Sequence, residues 1–284
     1  MGMASSAKEG CRVREVECRS LLNKSGLADY AVNCYAGCEH GCCYCYARFA
    51  TRFSHPSEQW GSFVDVKVNA PQVLTHEAKR KRVGRVFISS VCDGWQPRET
   101  SYCLTRQCLE ILLHYGYPLT ILTKSALARR DLDFLASSKD KIEFGVTITT
   151  FDEGLRRLIE PRSSPSAERL NLLQEAKRKG IRTYAFLGPL LPHLSDTEAN
   201  LNSLLWAVKD VGADYFYVDR LNRRFGVWQS LKSILQEHFP DLIEAYRKLL
   251  FNEGASREYS ERLMSSVSCL ARRQGLDDKM RLCF

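Results

Sequence analysis

Short apolar, β-branched runs alternate along the chain with segments whose apolar residues recur every three or four positions. The first pattern is typical of strands buried in a sheet, and the second is typical of amphipathic helices. Gly116, Gly180 and Gly212 each stand between a helical segment and the next apolar run, where helices commonly end. The apolar runs lie at 30–35, 83–91, 117–124, 142–150, 181–192 and 213–221.

Strand and helix repeated in this order predict right-handed crossovers between parallel strands. We count six such units over roughly residues 28–250. The sequence therefore predicts an α/β fold, a partial (β/α)6 barrel with parallel strands and a helical C-terminal tail. An open doubly wound sheet is the alternative. In both architectures the functional side chains gather at the carboxyl ends of the strands.

The predicted organisation has three parts along the chain. An N-terminal extension covers 1–27, the partial barrel covers 28–250 and the helical tail covers 251–284. The tail is polar and lacks enough apolar residues for a core of its own, so we expect it to depend on the barrel.

Composition places the chain among ordinary globular proteins, since 44% of its 284 residues are hydrophobic and 26% are charged. No apolar run approaches the about 18 residues that cross a bilayer, and the opening MGMASSAKEG has no apolar signal-peptide core. We therefore expect a cytoplasmic monomer with no membrane partner. The formal charge of +8 permits attraction to nucleic acid, but Lys and Arg are spread along the chain apart from KRKR at 79–82 and a few RR pairs.

Cysteine supplies the strongest chemical signal, because five of the twelve cysteines stand within twelve consecutive positions. In a reducing compartment, clustered thiols are more often metal ligands or redox groups than disulfides. Cys38, Cys42 and Cys45 have the spacing C-x3-C-x2-C directly after the first predicted strand. Three thiolates so spaced can hold a cubane iron–sulfur cluster and leave its fourth iron without a protein ligand. A closed zinc site with Cys34 or Cys43 as the fourth thiolate is the alternative.

The motif, with an aromatic residue before its last cysteine, resembles that of the radical S-adenosylmethionine (SAM) superfamily. The chain is similar in particular to proteins related to spore photoproduct lyase, many of which carry the label DNA repair photolyase. The resemblance covers roughly residues 19–225. It rests on five segments in order: LLNKSGLADYAVNCYAGCEHGCCYCYARF, CDGWQPRETSYCLTRQCLEILL, LTKSALARRDLDFL, TITTFDEGLRRLIEPRSSPSAERL and GPLLPHLSD.

This resemblance implies a [4Fe-4S] cluster and SAM as cofactors, with a reductant such as flavodoxin or ferredoxin as a partner. Reductive cleavage of SAM would give a 5′-deoxyadenosyl radical that abstracts a hydrogen atom from substrate, while the protein orients and shields the cofactors. The substrate is unidentified, and a nucleic-acid lesion is one candidate. The competing interpretation is a non-catalytic zinc- or iron–sulfur-binding module that binds nucleic acid.

The resemblance also implies roles for residues at the strand ends. Spore photoproduct lyase has a hydrogen-donating cysteine near the end of the second strand, and Cys92 lies close to that place without matching it position for position. From its place at the strand end we expect Cys92 to donate a hydrogen atom to a product radical, the alternative being a small buried hydrophobe. Five polar residues at the strand ends also have structural alternatives. Asp93 and Glu99 could cap helices, Lys124 could be solvated, and Thr147 and Thr149 could reflect β-propensity alone. The family usually has Thr-Asp-Pro-Tyr where this chain has CDGW at 92–95. The implied SAM contacts are Tyr44 and Leu187 for adenine, Asp93 and Glu99 for the amino group, Lys124 for the carboxylate, and Thr147 and Thr149 for the ribose or methionyl group.

Overall fold

The protein is described by a computed structural model over residues 10–224 and 226–283, and it combines two sheets with a layer of helices. In chain order the strands are β1 Arg12–Val16, β2 Asn23–Lys24, β3 Tyr30–Val32, β4 Tyr35–Ala36, β5 Phe63–Lys67, β6 Val86–Ile88, β7 Leu119–Thr123, β8 Ile142–Ile148, β9 Arg182–Leu190, β10 Tyr215–Arg220 and β11 Met280–Leu282. The α-helices are α1 Arg48–Thr51, α2 Ala70–Ala78, α3 Glu99–Tyr102, α4 Leu104–His114, α5 Leu132–Ala136, α6 Glu153–Ile159, α7 Ser166–Arg178, α8 Glu198–Asp210, α9 Val227–His238, α10 Ile243–Phe251 and α11 Glu253–Arg273.

The main sheet has the strand order β2-β3-β6-β7-β8-β9-β10-β11. Every neighbouring pair from β3 to β11 is parallel, and only β2 pairs antiparallel, at one edge. The six predicted parallel strands are therefore adjacent in the order in which they occur along the chain. Among the described residues this sheet keeps two edges and does not close. The prediction of an incomplete barrel of parallel strands is therefore confirmed.

Helices cover one face of this sheet because alternate strand residues are apolar on that side. In β8, Phe144, Val146 and Ile148 are buried in one cluster with Leu172 and Ala176 of α7. Side chains of a strand alternate between faces, so the residues between these three point to the other side.

Aromatic rings line that other, inner face. Tyr184 stacks on Tyr215 with 5.3 Å between ring centroids, and Tyr217 meets Tyr184 edge-on at 5.8 Å. Gly145 leaves room for the Tyr184 ring, since a Cβ at position 145 would lie 2.4 Å from it. Phe186, 6.2 Å from Tyr217 between centroids, extends the aromatic set toward the carboxyl ends of the strands.

A second sheet of three strands, in the order β1-β5-β4, lies in the chain next to the cysteine-rich segment. Asp65 of β5 ties it together by accepting two hydrogen bonds from Arg14, at 2.9 and 2.7 Å, and by bonding to His55 Nε2 at 2.9 Å. The sequence did not predict this sheet. The cysteine-rich segment is followed by the single turn α1.

The C-terminal segment is integrated with the barrel. Helix α11 buries Tyr259, Leu263, Val267 and Leu270 in the main core, and β11 pairs with β10 at the sheet edge. The helical tail is thus as predicted, whereas strand β11 was not predicted, and the domain boundaries stay a prediction. No helix within 10–224 or 226–283 combines the length and the apolar composition that crossing a membrane requires.

Candidate active site

The cysteine motif forms a turned loop between β4 and α1. The N–H of Gly41 donates to the carbonyl of Cys38 and the N–H of Cys45 donates to the carbonyl of Cys42, each at 3.2 Å. Two successive turns therefore curl the backbone of the loop that carries the three motif cysteines. All three are free thiols, Cys38 and Cys42 are buried and Cys45 is half-buried.

Burial dominates the chemistry of these thiols. It raises the pKa of Cys38 well above the ordinary value, with further contributions from Asp93, Cys42 and Cys45, and it raises the pKa of Cys42 to about 12. Buried thiols of this kind become thiolates when a positive centre compensates their charge.

The donor set therefore fits an iron–sulfur cluster: three free thiols on one loop, two of them buried and one half-buried, with no disulfide among them. In the part of the chain that the structure describes, no group of three or more His, Cys, Asp or Glu side chains is placed to hold a metal ion. The fit rests on the chemistry of the donors, their burial and their shared loop.

The two neighbouring cysteines have other partners. Cys34 Sγ lies 3.4 Å from Cys108 Sγ inside the main core. Cys43 packs with Leu155 and Ile159, and its N–H donates to the Ile159 carbonyl at 2.9 Å. The structure thus places both candidate fourth thiolates of a zinc site in packing positions.

Tyr44, between two motif cysteines, anchors the loop to the carboxyl end of β8. Its hydroxyl donates to Glu160, which also accepts from Thr149 Oγ1 at 2.9 Å, from Ser163 and from Arg169. Burial would raise the pKa of Glu160, but the charges of Arg169 and Lys124 and the hydrogen bonds lower it to about 2. Glu160 is therefore an ionised, fully buried carboxylate that holds the motif tyrosine.

Lys124, directly after β7, presents its ammonium 5.8 Å from the centroid of the Tyr44 ring. The Nζ atom has no hydrogen bond or ion pair with any residue that the structure describes. Burial would lower the pKa of Lys124, but negative charge at Cys42 and Glu160 outweighs it and raises this pKa. A cation with no bonded partner therefore lies beside the cysteine loop. It is the lysine that the family resemblance assigned to the SAM carboxylate.

The two acidic residues expected at the SAM amino group are both occupied. Asp93 Oδ1 accepts from the Trp95 N–H at 2.9 Å and from Thr123 Oγ1 at 2.8 Å, and Oδ2 accepts from the Lys124 N–H at 2.8 Å. The carboxylate therefore joins the segment after β6 to the end of β7.

Glu99 is fully buried and accepts from the N–H groups of Thr105 and Arg106, both at 3.1 Å, from the Tyr35 hydroxyl and from Arg130. Thr105 and Arg106 belong to the first turn of α4, whose N-cap Cys103 supplies no side-chain hydrogen bond. Glu99 thus holds the helix-capping position that was the alternative for it, and its carboxylate has no oxygen left for an ammonium group.

Thr147 in β8 and Thr149, just after its end, differ in their surroundings. Thr149 donates to Glu160 and lies 3.1 Å from the Gly188 carbonyl, so its hydroxyl belongs to the Tyr44 network. Thr147 is buried on the inner-face side, and its carbonyl accepts from Arg169 Nη1 at 2.9 Å.

Leu187, expected to contact adenine, is buried in the cluster that the sheet forms with the helices, together with Val218 and Leu204. Its contact with adenine stays a prediction. The neighbouring Phe186 is half-buried on the inner face. Sequence reasoning missed Phe186 because both faces of β9 are apolar and the alternation did not reveal which one faces inward.

Cys92 lies beside the motif cysteines. It packs, together with Cys45, against the cluster of Cys38, Trp60 and Phe63, and its Sγ lies 3.7 Å from Asn33 Oδ1. Burial raises the pKa of this thiol to about 12. Cys92 thus packs with two of the motif cysteines, and its role as hydrogen donor stays a prediction.

The family model described as Radical SAM superfamily matches residues 32–204 of this chain. An uncharacterized protein of Methanocaldococcus jannaschii is 33% identical over 256 residues, which cover 89% of this chain and 92% of the relative. An uncharacterized protein of Mycobacterium tuberculosis is 32% identical over 252 residues, which cover 85% of this chain and 74% of the relative.

Solved structures of similar fold include spore photoproduct lyase complexed with dinucleoside spore photoproduct. That structure has a TM-score of 0.69 and 16% identity, and the match covers 95% of this chain and 81% of the lyase. A variant of the lyase with bound AdoMet and dinucleoside spore photoproduct gives the same TM-score of 0.69 at 15% identity, with the same coverage of 95% and 81%. At these identities the likeness establishes the fold.

Proposed function

Because this chain belongs to the radical SAM superfamily, we propose that it is an enzyme that holds a [4Fe-4S] cluster on Cys38, Cys42 and Cys45 and cleaves SAM reductively. When bound, the cluster supplies the electron for that cleavage, which yields the 5′-deoxyadenosyl radical that abstracts a hydrogen atom from substrate. The electron comes from a protein such as flavodoxin or ferredoxin.

One observation carries the proposal: three free thiols with raised pKa values, two buried and one half-buried, share the loop between β4 and α1 in a chain of this family. The surrounding residues have matching tasks. Lys124 binds the SAM carboxylate with its uncommitted ammonium, and Thr147 contacts the ribose or methionyl group from the inner face. Tyr44 contributes its ring to the adenine side, while its hydroxyl stays on Glu160.

We propose a nucleic-acid lesion as the substrate class, with Cys92 as the hydrogen donor to the product radical. Two features support this. The lyase of similar fold was solved with dinucleoside spore photoproduct, and the chain carries a formal charge of +8, which favours association with phosphates. The aromatic inner face, with Phe186 nearest the strand ends, would shield a radical from water.

The test is anaerobic reconstitution with iron and sulfide, followed by reduction in the presence of SAM. We expect a brown protein with about four irons per chain, an expectation that follows from three-cysteine cubane ligation, and 5′-deoxyadenosine as a product. Alanine variants of Cys38, Cys42 or Cys45 lose the iron. Matched Cys34→Ala and Cys43→Ala variants retain it, since those thiols have packing partners.

Two outcomes would overturn the proposal. A full cubane in Cys42→Ala protein would show that the motif is not the ligand set. A colourless protein that binds one zinc ion and leaves SAM intact would instead support the competing interpretation, a non-catalytic metal-binding module.

A further inference from the structure

Arg48 is a half-buried cation with no bonded partner among the described residues, near the cysteine loop. It begins α1, three positions after Cys45. Its Nε atom is buried without a hydrogen-bond partner, and no ion pair involves its guanidinium among the residues that the structure describes. A desolvated charge without a partner is costly, so a position of this kind calls for an anion that the polypeptide does not supply.

The guanidinium of Arg48 lies over a ring that packs with the motif cysteines. Its guanidinium carbon lies 5.8 Å from the Trp60 ring centroid, and Trp60 shares an apolar cluster with Cys38, against which Cys45 also packs. The aliphatic stem is fixed from the other side by Gly226, where a Cβ would lie 3.1 Å from both Cβ and Cδ of Arg48. Gly226 has a φ of +86°, so a side chain there would be strained as well as crowded.

The electrostatic neighbours agree with this geometry. Burial lowers the pKa of Arg48, and the groups that act in the opposite direction are Cys45, Cys43 and Cys42, in that order. No carboxylate contributes. The negative charge that best satisfies Arg48 is therefore the charge that the motif thiols acquire when they become metal ligands.

We propose that Arg48 is a positioning residue for the iron–sulfur cluster, whose guanidinium balances the charge on the Cys45 side and stabilises the reduced form. The inference rests on the proposed function. Reduction adds one electron, and cluster potentials depend on local charge, hydrogen bonds to sulfur and solvent exposure. A fixed cation in a site with little water lowers the energy of the more negative state. Arg48 thereby raises the midpoint reduction potential and eases electron entry from the donor protein.

The experiment measures the midpoint potential of the reconstituted cluster by redox titration with electron paramagnetic resonance detection. The variants are Arg48→Gln and Arg48→Lys, and Arg52→Gln is the matched control, because Arg52 is an exposed arginine of the same loop region. We expect wild type, Arg48→Lys and Arg52→Gln to share one potential. Arg48→Gln should shift the reduced-to-oxidised ratio about tenfold toward the oxidised form, or about 59 mV for a one-electron couple.

A second measurement uses the metal-free protein. If Arg48 serves the cluster, Arg48→Met removes a half-buried charge that has no partner in the metal-free protein, and it leaves the urea midpoint unchanged or higher. If Arg48 only packs, the variant unfolds at lower urea. Loss of iron in Arg48→Gln, with retention in Arg48→Lys and an intact metal-free fold, also supports the role.

The failures are distinguishable. An unchanged potential in Arg48→Gln with full iron content overturns this inference and leaves the proposed function standing, as does a destabilised metal-free Arg48→Met. Wild-type protein that takes up no cluster overturns both.

Discussion

The Glu160–Arg169 ion pair offers the sharpest test of how the fold holds the motif. Both side chains are fully buried, and Arg169 also donates to the carbonyls of Ser164 and Thr147, at 2.7 and 2.9 Å. Replacing Arg169 with Met removes the charge and keeps much of the volume. It leaves Glu160 as a buried carboxylate whose remaining donors are neutral.

Loss of one partner of a buried pair costs about 3–5 kcal/mol, because the remaining charge is uncompensated. The pKa of Glu160 gives an independent estimate of similar size. Its lowering from 4.5 to about 2 corresponds to about 3 kcal/mol of preference for the ionised form in the fold. We therefore expect Arg169→Met to reduce the free energy of unfolding by about 3–5 kcal/mol at pH 7.

The pH dependence follows from the direction of the shift. Since the folded pKa of Glu160 is depressed, its stabilisation is present above the unfolded value of 4.5 and is lost as pH falls through about 2. The deficit of Arg169→Met relative to wild type should accordingly shrink as pH falls toward about 2, because protonation removes the charge that the variant leaves uncompensated.

The assay is urea unfolding of the metal-free protein at several pH values, with circular dichroism as the signal that monitors unfolding. The double variant Glu160→Gln with Arg169→Met should recover much of the loss, because no buried charge remains. Arg247→Met is the matched control: Arg247 pairs with Glu244 on the surface, both side chains being exposed, and no change is expected. An Arg169→Met protein within 1 kcal/mol of wild type (a threshold set against the about 3–5 kcal/mol expected) would refute the reasoning, and so would a double variant no more stable than the single one.

Two further predictions concern residues next to the motif. Lys124→Ala should keep its iron and fold but bind SAM about 1 to 3 kcal/mol more weakly in a calorimetric titration, the range of a charge-assisted hydrogen bond. Unchanged affinity for SAM would show that Lys124 does not bind the SAM carboxylate and would favour the alternative of a solvated lysine. Cys92→Ala should still release 5′-deoxyadenosine, since the cluster and SAM ligands are untouched, yet give incomplete turnover or adducts on an oligonucleotide that carries a pyrimidine lesion. Normal product from this variant would leave Cys92 as a packing residue.

The sheet was predictable because its strands follow a local rule. Each parallel strand is an apolar run long enough to be buried on both faces, and helices between the runs leave adjacent pairing in chain order as the simple solution. The small sheet had no such signal. Strand β1, RVREV, is mostly exposed, and β4 has only two residues. Strand β11, at the edge of the main sheet, has only three. The pairing of these strands depends on tertiary contacts that no local pattern encodes.

The candidate site divides in the same way. The three cysteines are close in sequence, so their spacing alone identified them. The partner of Tyr44 could not be found by spacing, because Glu160 is 116 positions away and single carboxylates carry no local signature. Arg169 and Arg48 were missed for the same reason. Their burial, which gives them significance, exists only after the helices pack.

Asp93 shows how a residue that a family resemblance assigns to a ligand can act through the fold instead. Its carboxylate receives hydrogen bonds from Trp95, Thr123 and the backbone of Lys124, so it fixes the end of β7 against the segment that follows β6. That end is the point from which the Lys124 ammonium reaches over Tyr44. If Lys124 binds the SAM carboxylate as we propose, Asp93 contributes to SAM binding by setting the position of that lysine. A direct contact with the SAM amino group is then not required for Asp93 to matter, and its burial within three hydrogen bonds favours the indirect role.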